Sequence, residues 1–329
     1  MNIALPSPFF CAPMAEITTP ALRRVIRRFS RDVVLYSEML HAGAIAARAK
    51  HNEPLTATYD FDAPLVYQIV GGNPDVMAGA CRMLSDRSPY AIDINMGCSA
   101  PAVMKTGGGA KLLADLDTAR SIVRACRRHT PCGLSVKMRS GFDSSDPARL
   151  ADFTAMLQDE GVDFIALHPR HAKLGFRGAA DWRLVRMARE RLAIPVIGCG
   201  DITTAGVAIE RLQSTGCAGV MIGREAVKSP WIFRSCADLL RGEHREYELP
   251  VHELFITVLR DIQLYLPEKL HKSRGHRFCR YYSKNAYFSH DLFTKIRRED
   301  TIDGMICVVD DYFGRNPHEK TRKEIHACG

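Results

Sequence analysis

Eight short runs rich in Val, Ile, Leu and Phe, separated by stretches of helical period, constrain this 329-residue chain more than any other feature. The runs are 9–12, 33–36, 65–70, 90–94, 133–138, 164–168, 195–198 and 219–222. Between them, 20–29, 74–84, 116–128, 147–160, 182–191 and 204–214 read as helices, several entered through Thr, Asp or Pro, which suit helix starts. Only the second connection, 40–62, is irregular. Strand alternating with helix makes a parallel sheet, and eight such units predict an α/β fold closed into a (β/α)8 TIM barrel.

Barrel chemistry sits at the C-terminal ends of the strands, so those positions are the test. In order the chain offers Met14, Ser37-Glu38-Met39, Gln68, Asn95 with Cys98, Lys137 with Arg139, His168 with Arg170, Gly200-Asp201 and Gly223-Arg224. A buried strand that delivers an amide and a thiol together, Asn95 and Cys98, and then enters a glycine-rich loop, looks like a site. Glycines after the seventh and eighth strands suit a phosphate held by backbone N–H groups, although two tight turns would use them equally well.

Beyond Trp231 the strand runs stop, and 251–266, 273–288 and 302–313 read as helices. We therefore divide the chain into a barrel, residues 1–244, and a small all-helical domain, 245–329. Residues 269–298 carry nine Lys or Arg against one acid, Asp291. On a helix Arg277, Arg280 and Lys284 share one face, while Phe278 and Tyr282 pair on another. Such a helix can hold to its domain and offer cations to phosphates, or it can be merely solvated. The net charge of +8 favours polyanions without proving that one binds. No apolar run approaches a membrane span, and eleven scattered cysteines without a CxxC pair argue for a reducing compartment and against a disulfide framework or zinc.

Together these motifs resemble the tRNA-dihydrouridine synthases, flavin enzymes with an FMN-binding barrel and a helical C-terminal domain. The matching segments are Ala12-Pro13-Met14, Ser37-Glu38-Met39, Gln68, Asp93 to Cys98, Gly107 to Gly109, Ser135 to Gly141, His168-Pro169-Arg170, Ile194 to Ile197, Gly200-Asp201-Ile202, Met221 to Ala226 and Pro230 to Phe233. The resemblance implies FMN-dependent reduction of the C5–C6 double bond of a uridine in tRNA, hydride passing from FMN N5 to C6 and Cys98 protonating C5. A thiol, with an ordinary pKa of about 8.5, is protonated at neutral pH yet acidic enough to give its proton to a developing carbanion.

By the same resemblance Ala12, Pro13, Met14, Gln68, Lys137, His168, Gly200, Asp201, Gly223 and Arg224 hold FMN. Lys137 stands by the N1–C2=O edge, where a cation stabilises reduced flavin. Glu38, Asn95, Lys105, Arg139, Arg170, Arg277, Arg280 and Lys284 are expected to meet the RNA. NADPH is the implied reductant, and a cytoplasmic monomer without metal is expected. The alternatives are an FMN-barrel reductase of a small molecule and an RNA-binding relative without catalysis. Two departures stand out: the family's proline directly after the cysteine is displaced to Pro101, and Cys199 replaces an asparagine between the seventh-strand glycine pair.

Overall fold

The computed structural model describes residues 3–48 and 53–325; Cys328 lies outside them. The eight strands are β1 (Phe9–Cys11), β2 (Leu35–His41), β3 (Leu65–Val70), β4 (Ala91–Met96), β5 (Gly133–Arg139), β6 (Phe164–His168), β7 (Val196–Cys199) and β8 (Gly219–Ile222). From β2 to β8 each strand pairs in parallel with its sequence neighbours, β1 pairs in parallel with β8, and a bridge from Phe10 to Val34 joins β1 to the entry of β2. The sheet therefore closes on itself, as the alternation of elements requires. Helices cover it: α1 (Pro20–Phe29), α2 (Ala42–Ala46), α3 (Glu53–Thr56), α4 (Pro74–Ser85), α5 (Pro101–Lys105), α6 (Leu116–Arg128), α7 (Pro147–Asp159), α8 (Trp182–Arg191), α9 (Ala205–Thr215), α10 (Arg224–Lys228) and α11 (Ile232–Leu240).

Local chemistry explains the helix starts. Thr19, Asn73, Asp115, Asp146, Asp181 and Thr204 each accept a backbone N–H from the first turn of α1, α4, α6, α7, α8 and α9 respectively, and proline opens α1, α4 and α7. Alternation along the strands then sorts side chains between two cores. On β4, Ile92, Ile94 and Met96 face the helices, whereas Ala91 joins Phe10, Tyr36, Val66, Phe164 and Ile197 inside the barrel. Asp93 and Asn95 share the parity of Ala91 and so point inward and up toward the mouth.

One strand is longer than expected. The reading of 33–36 ended at the polar pair Ser37-Glu38, but β2 passes through an irregularity between Tyr36 and Met39 and runs on to His41. The bulge lets two polar residues lie in a buried strand without ending it.

The C-terminal part consists of α12 (Val251–Tyr265), α13 (Glu268–Tyr282), α14 (Ser289–Ile296) and α15 (Ile302–Arg315), with an added two-stranded antiparallel ribbon of β9 (Glu246–Leu249) and β10 (Arg322–Ile325) that was not expected. Phe255, Phe278 and Tyr282 knit α12 to α13, with ring centroids 4.9–5.7 Å apart. Arg24 of α1 binds Asp261 of α12 at 2.7 Å, tying this layer to the barrel wall. No helix among the described residues is long and apolar enough to cross a membrane.

Candidate active site

The barrel mouth holds two adjoining cavities that share Pro13, Lys137, His168 and Phe176. The larger, about 400 Å³, is lined by Met14, Cys199, Gly200, Gly223 and Arg224 among others. The smaller, about 280 Å³, is lined by Met39, Gln68, Asn95, Cys98 and Arg139. Their union is an elongated cleft, cationic with close backbone at one end, carrying amides and a thiol at the other.

At the thiol end a hydrogen-bonded chain runs up the inward face of three strands. Ser135 Oγ donates to Asp93 Oδ1 at 2.6 Å, and Gln68 Nε2 donates to Asp93 Oδ2 at 2.7 Å. Asn95 Nδ2 donates to Gln68 Oε1 at 2.8 Å, while Asn95 Oδ1 accepts the backbone N–H groups of Gly97 and Cys98 at 3.0 and 2.9 Å. Every bond points toward the carboxylate, because its two ends are fixed: backbone N–H can only donate, and an ionised carboxylate can only accept. Asp93 thus orients both amides, and Asn95 fixes the turn that carries the half-buried Cys98. Burial pushes the Asp93 carboxyl up to about 6, against the hydrogen bonds from Ser135 and Gln68 and the charge of Lys137.

The loop beyond is packed as tightly. Gly109 has φ of +63°, and a Cβ there would lie 2.5 Å from the Cys98 carbonyl oxygen, so only glycine lets the loop fold back onto the thiol's own backbone. The displaced Pro101 opens the short helix α5.

The other end is dominated by positive charge. Burial first, then Lys137, Arg139, Arg170 and Arg224, push the His168 imidazole down to about 2, so it is neutral at physiological pH. At Gly200, φ is +124° and a Cβ would stand 2.9 Å from His168 Cδ2, so the chain passes against the imidazole only as glycine. Cys199 is buried and lines this cavity beside Lys137. No cluster of three or more His, Cys, Asp or Glu among the described residues could hold a metal.

The structure gives partners within the protein to several of the residues expected to meet RNA. Arg170 was to face RNA; it is buried, and its guanidinium binds Asp201 at 2.6 Å and the Gly178 carbonyl, holding the loop after β6. The Asp201 carboxylate, expected to serve the cofactor, is correspondingly occupied by Arg170 and the Ala180 amide, although the residue lines the larger cavity. Glu38 is buried and meets Arg274 of α13 at 3.1 Å, a tie between barrel and helical layer; burial raises its carboxyl while Arg274 pulls it down. Arg277 is paired with Glu16 at 2.8 Å, so it is no free cation. Lys105 is exposed on α5 and lines neither mouth cavity. Lys284 lies just past α13, in a 3-10 turn at 283–285 that continues the helix, and lines the larger cavity. Arg280 is exposed on α13. Arg139 spans two loops, donating to the carbonyls of Gly97 at 3.1 Å and Gly175 at 2.8 Å.

Phe176 is the residue that sequence reasoning missed. It is 66% exposed, overhangs the junction of the cavities, and has the guanidinium carbons of Arg139 and Arg224 at 5.5 and 5.0 Å from its ring centroid. The flanking Gly175 and Gly178, both at positive φ, were the available signal of a shaped loop.

A model of the dihydrouridine synthase family matches residues 10–298. Similar curated proteins include a probable tRNA-dihydrouridine synthase of Rhodobacter capsulatus, 36% identical over 249 residues and 74% of each chain. Another, from Aquifex aeolicus, is 31% identical over 259 residues, 77% of this chain and 78% of the relative. Among solved structures, 2-naphthoyl-CoA reductase superposes with a TM-score of 0.54 at 10% identity, covering 73% of this chain and 52% of that one. Histamine dehydrogenase from Rhizobium sp. 4-9 does so at 0.54 and 11%, covering 78% and 50%. The chain spans about half the length of these two structures, and the likeness is one of fold.

Proposed function

The chain belongs to the dihydrouridine synthase family, and from that membership and the layout of its barrel mouth we propose that it reduces the C5–C6 double bond of a uridine in tRNA, with Cys98 as the proton donor to C5. The cleft fits FMN in kind: backbone at Gly200 and Gly223 with Arg224 beside it suits a phosphate, and the Gln68 amide and Lys137 suit the polar edge of a flat ring. When bound, FMN supplies the hydride for C6; NADPH is our reading of its reductant.

What the chain itself does follows from charge and position. Gln68 presents an orientation set by Asp93 to the ring edge, and Lys137, common to both cavities, offsets negative charge there. Arg139 binds the Cys98 turn to the Phe176 loop, holding the two sides of the substrate end at a fixed separation. A base reaches this depth only by leaving its stack, at a cost of a few kcal/mol, which cations on residues 245–329 offset by gripping phosphates. We assign the protein to the cytoplasm as a monomer.

The observation that carries the reading is a thiol held by its own backbone N–H at the end of a directed hydrogen-bond chain, facing the cavity that Lys137 shares with the cationic end. Its test is Cys98→Ala. The variant is expected to purify yellow, with wild-type flavin content, and to form dihydrouridine in tRNA at least 10²-fold more slowly, the usual worth of a positioned acid. Undiminished product formation would remove Cys98 from the proton transfer.

A further inference from the structure

Next to the mouth lies an open cavity of about 650 Å³ with no part in the chemistry above; Lys284 lines both it and the larger mouth cavity. Its rim is Tyr287 and Phe288, 81% and 55% exposed. Their ring centroids are 4.9 Å apart at 83°, an edge-to-face pair that leaves a flat ring surface open to solvent.

The backbone that carries these rings is fixed. Tyr287 N donates to Glu319 Oε2 at 2.8 Å, Phe288 N donates to Tyr312 Oη at 3.2 Å, and that hydroxyl donates to Glu319 at 2.9 Å. The one carboxylate lining the cavity is thereby turned to the backbone beneath the rings. What remains toward the opening is positive: Lys284, with its amine 5.8 Å from the Tyr281 ring centroid, and Arg322, whose guanidinium reaches Asn285 Oδ1 at 3.4 Å. Neither has a carboxylate within 4 Å among the described residues.

Exposed aromatic faces pinned beside unpaired cations are the composition of a single-stranded nucleic-acid platform, where bases stack on rings and phosphates meet Lys and Arg. Extruding one base into the mouth also leaves neighbouring bases short of a stacking partner. We propose that Tyr287 and Phe288 form a ledge on which a second, unpaired base of the same RNA stacks, with Lys284 and Arg322 holding its flanking phosphates. The inference rests on the tRNA reading given above. Lys284 makes the ledge continuous with the mouth, so one RNA strand can run from one to the other.

The test uses the full-length protein and fluorescently labelled bulk tRNA from cells lacking it, with affinity measured across a salt series. Tyr287→Ala combined with Phe288→Ala should weaken binding roughly tenfold or more with the salt slope unchanged, because stacking releases no counterions. Tyr287→Trp should bind like wild type. Lys284→Ala combined with Arg322→Ala should instead lower the slope by roughly 1.4, at roughly 0.7 for each phosphate no longer neutralised. Wild-type affinity in the double aromatic variant, while the unaltered protein binds tRNA tightly, overturns the ledge alone. Absence of tRNA binding by the unaltered protein overturns the ledge and the tRNA reading together.

Discussion

Replacing Asn95 by Asp changes one atom's chemistry and sets the hydrogen-bond chain against itself. The new carboxylate can still accept the Gly97 and Cys98 N–H groups, but it has nothing to donate to Gln68 Oε1, now 2.8 Å away. Gln68 cannot turn over to help, because its Nε2 is already committed to Asp93 at 2.7 Å and one amide cannot face nitrogen to both sides. An unmet buried acceptor costs about 1–3 kcal/mol, and the second carboxylate adds repulsion, so we expect a deficit of about 3 kcal/mol. The relief is protonation of residue 95: about 3 kcal/mol is about 2 pKa units, moving that carboxyl from about 4 to about 6.

A carboxyl with a raised folded-state pKa binds its proton more tightly in the folded than in the unfolded chain, so stability falls as pH rises through the window from about 4 to about 6. Asp93, itself pushed up to about 6, and Lys137 face this position in both proteins, so the difference between variant and parent reports the new carboxyl together with its coupling to Asp93. Urea unfolding at pH 5 and pH 8 should show nearly the whole deficit at pH 8 and about half of it at pH 5. A penalty independent of pH, or one below about 0.5 kcal/mol at pH 8, would refute a chain with fixed direction.

Arg280→Ala should lower the salt slope of tRNA binding by about 0.7, whereas Arg277→Ala should change it little, because Arg277 is already neutralised by Glu16; the reverse order in a salt titration would show that the ion pair opens for RNA. Gly200→Ala places a Cβ 2.9 Å from His168 Cδ2 at a φ that L-residues rarely adopt, with strain of about 1–3 kcal/mol, and should yield protein depleted in flavin absorbance. Full flavin content with an unshifted Tm would mean that the segment after β7 has room to spare.

What was legible in the sequence is what period and capping decide locally. The bounds of α1, α6 and α8 follow from Thr19, Asp115 and Asp181 one residue ahead of each, and parity along β4 suffices to send Asp93 and Asn95 inward. The errors share a different cause. A cation at a strand end reads the same whether it meets a ligand or a carboxylate, and the deciding partners lie far off: Asp201 for Arg170 at 31 residues, Glu16 for Arg277 at 261. Glu38 looked like a strand end because its neutralising Arg274 is 236 residues away, and with that charge met, a bulged strand can carry it through the core. The helix read over 273–288 tightens to a 3-10 turn at 283–285 and ends there, which spacing alone did not show.

The same distinction between free and committed charges narrows the choice of acid. Around the smaller cavity the ionisable side chains are Cys98, Lys137, Arg139 and His168. The surrounding cations and burial keep His168 neutral at pH 7, so it holds no proton of useful acidity there. A guanidinium gives up its proton too reluctantly to serve, and that of Arg139 is spent on the carbonyls of Gly97 and Gly175. Lys137 lies at the junction with the cationic cavity, where surrendering its charge would remove the stabilisation it provides. That leaves the thiol, whose position depends on the Asn95 carbonyl and, through Gln68, on whether Asp93 remains an acceptor. On the proposed reaction, proton supply at C5 and orientation of the flavin edge would be two outputs of one buried carboxylate, and an alteration there should disturb both together.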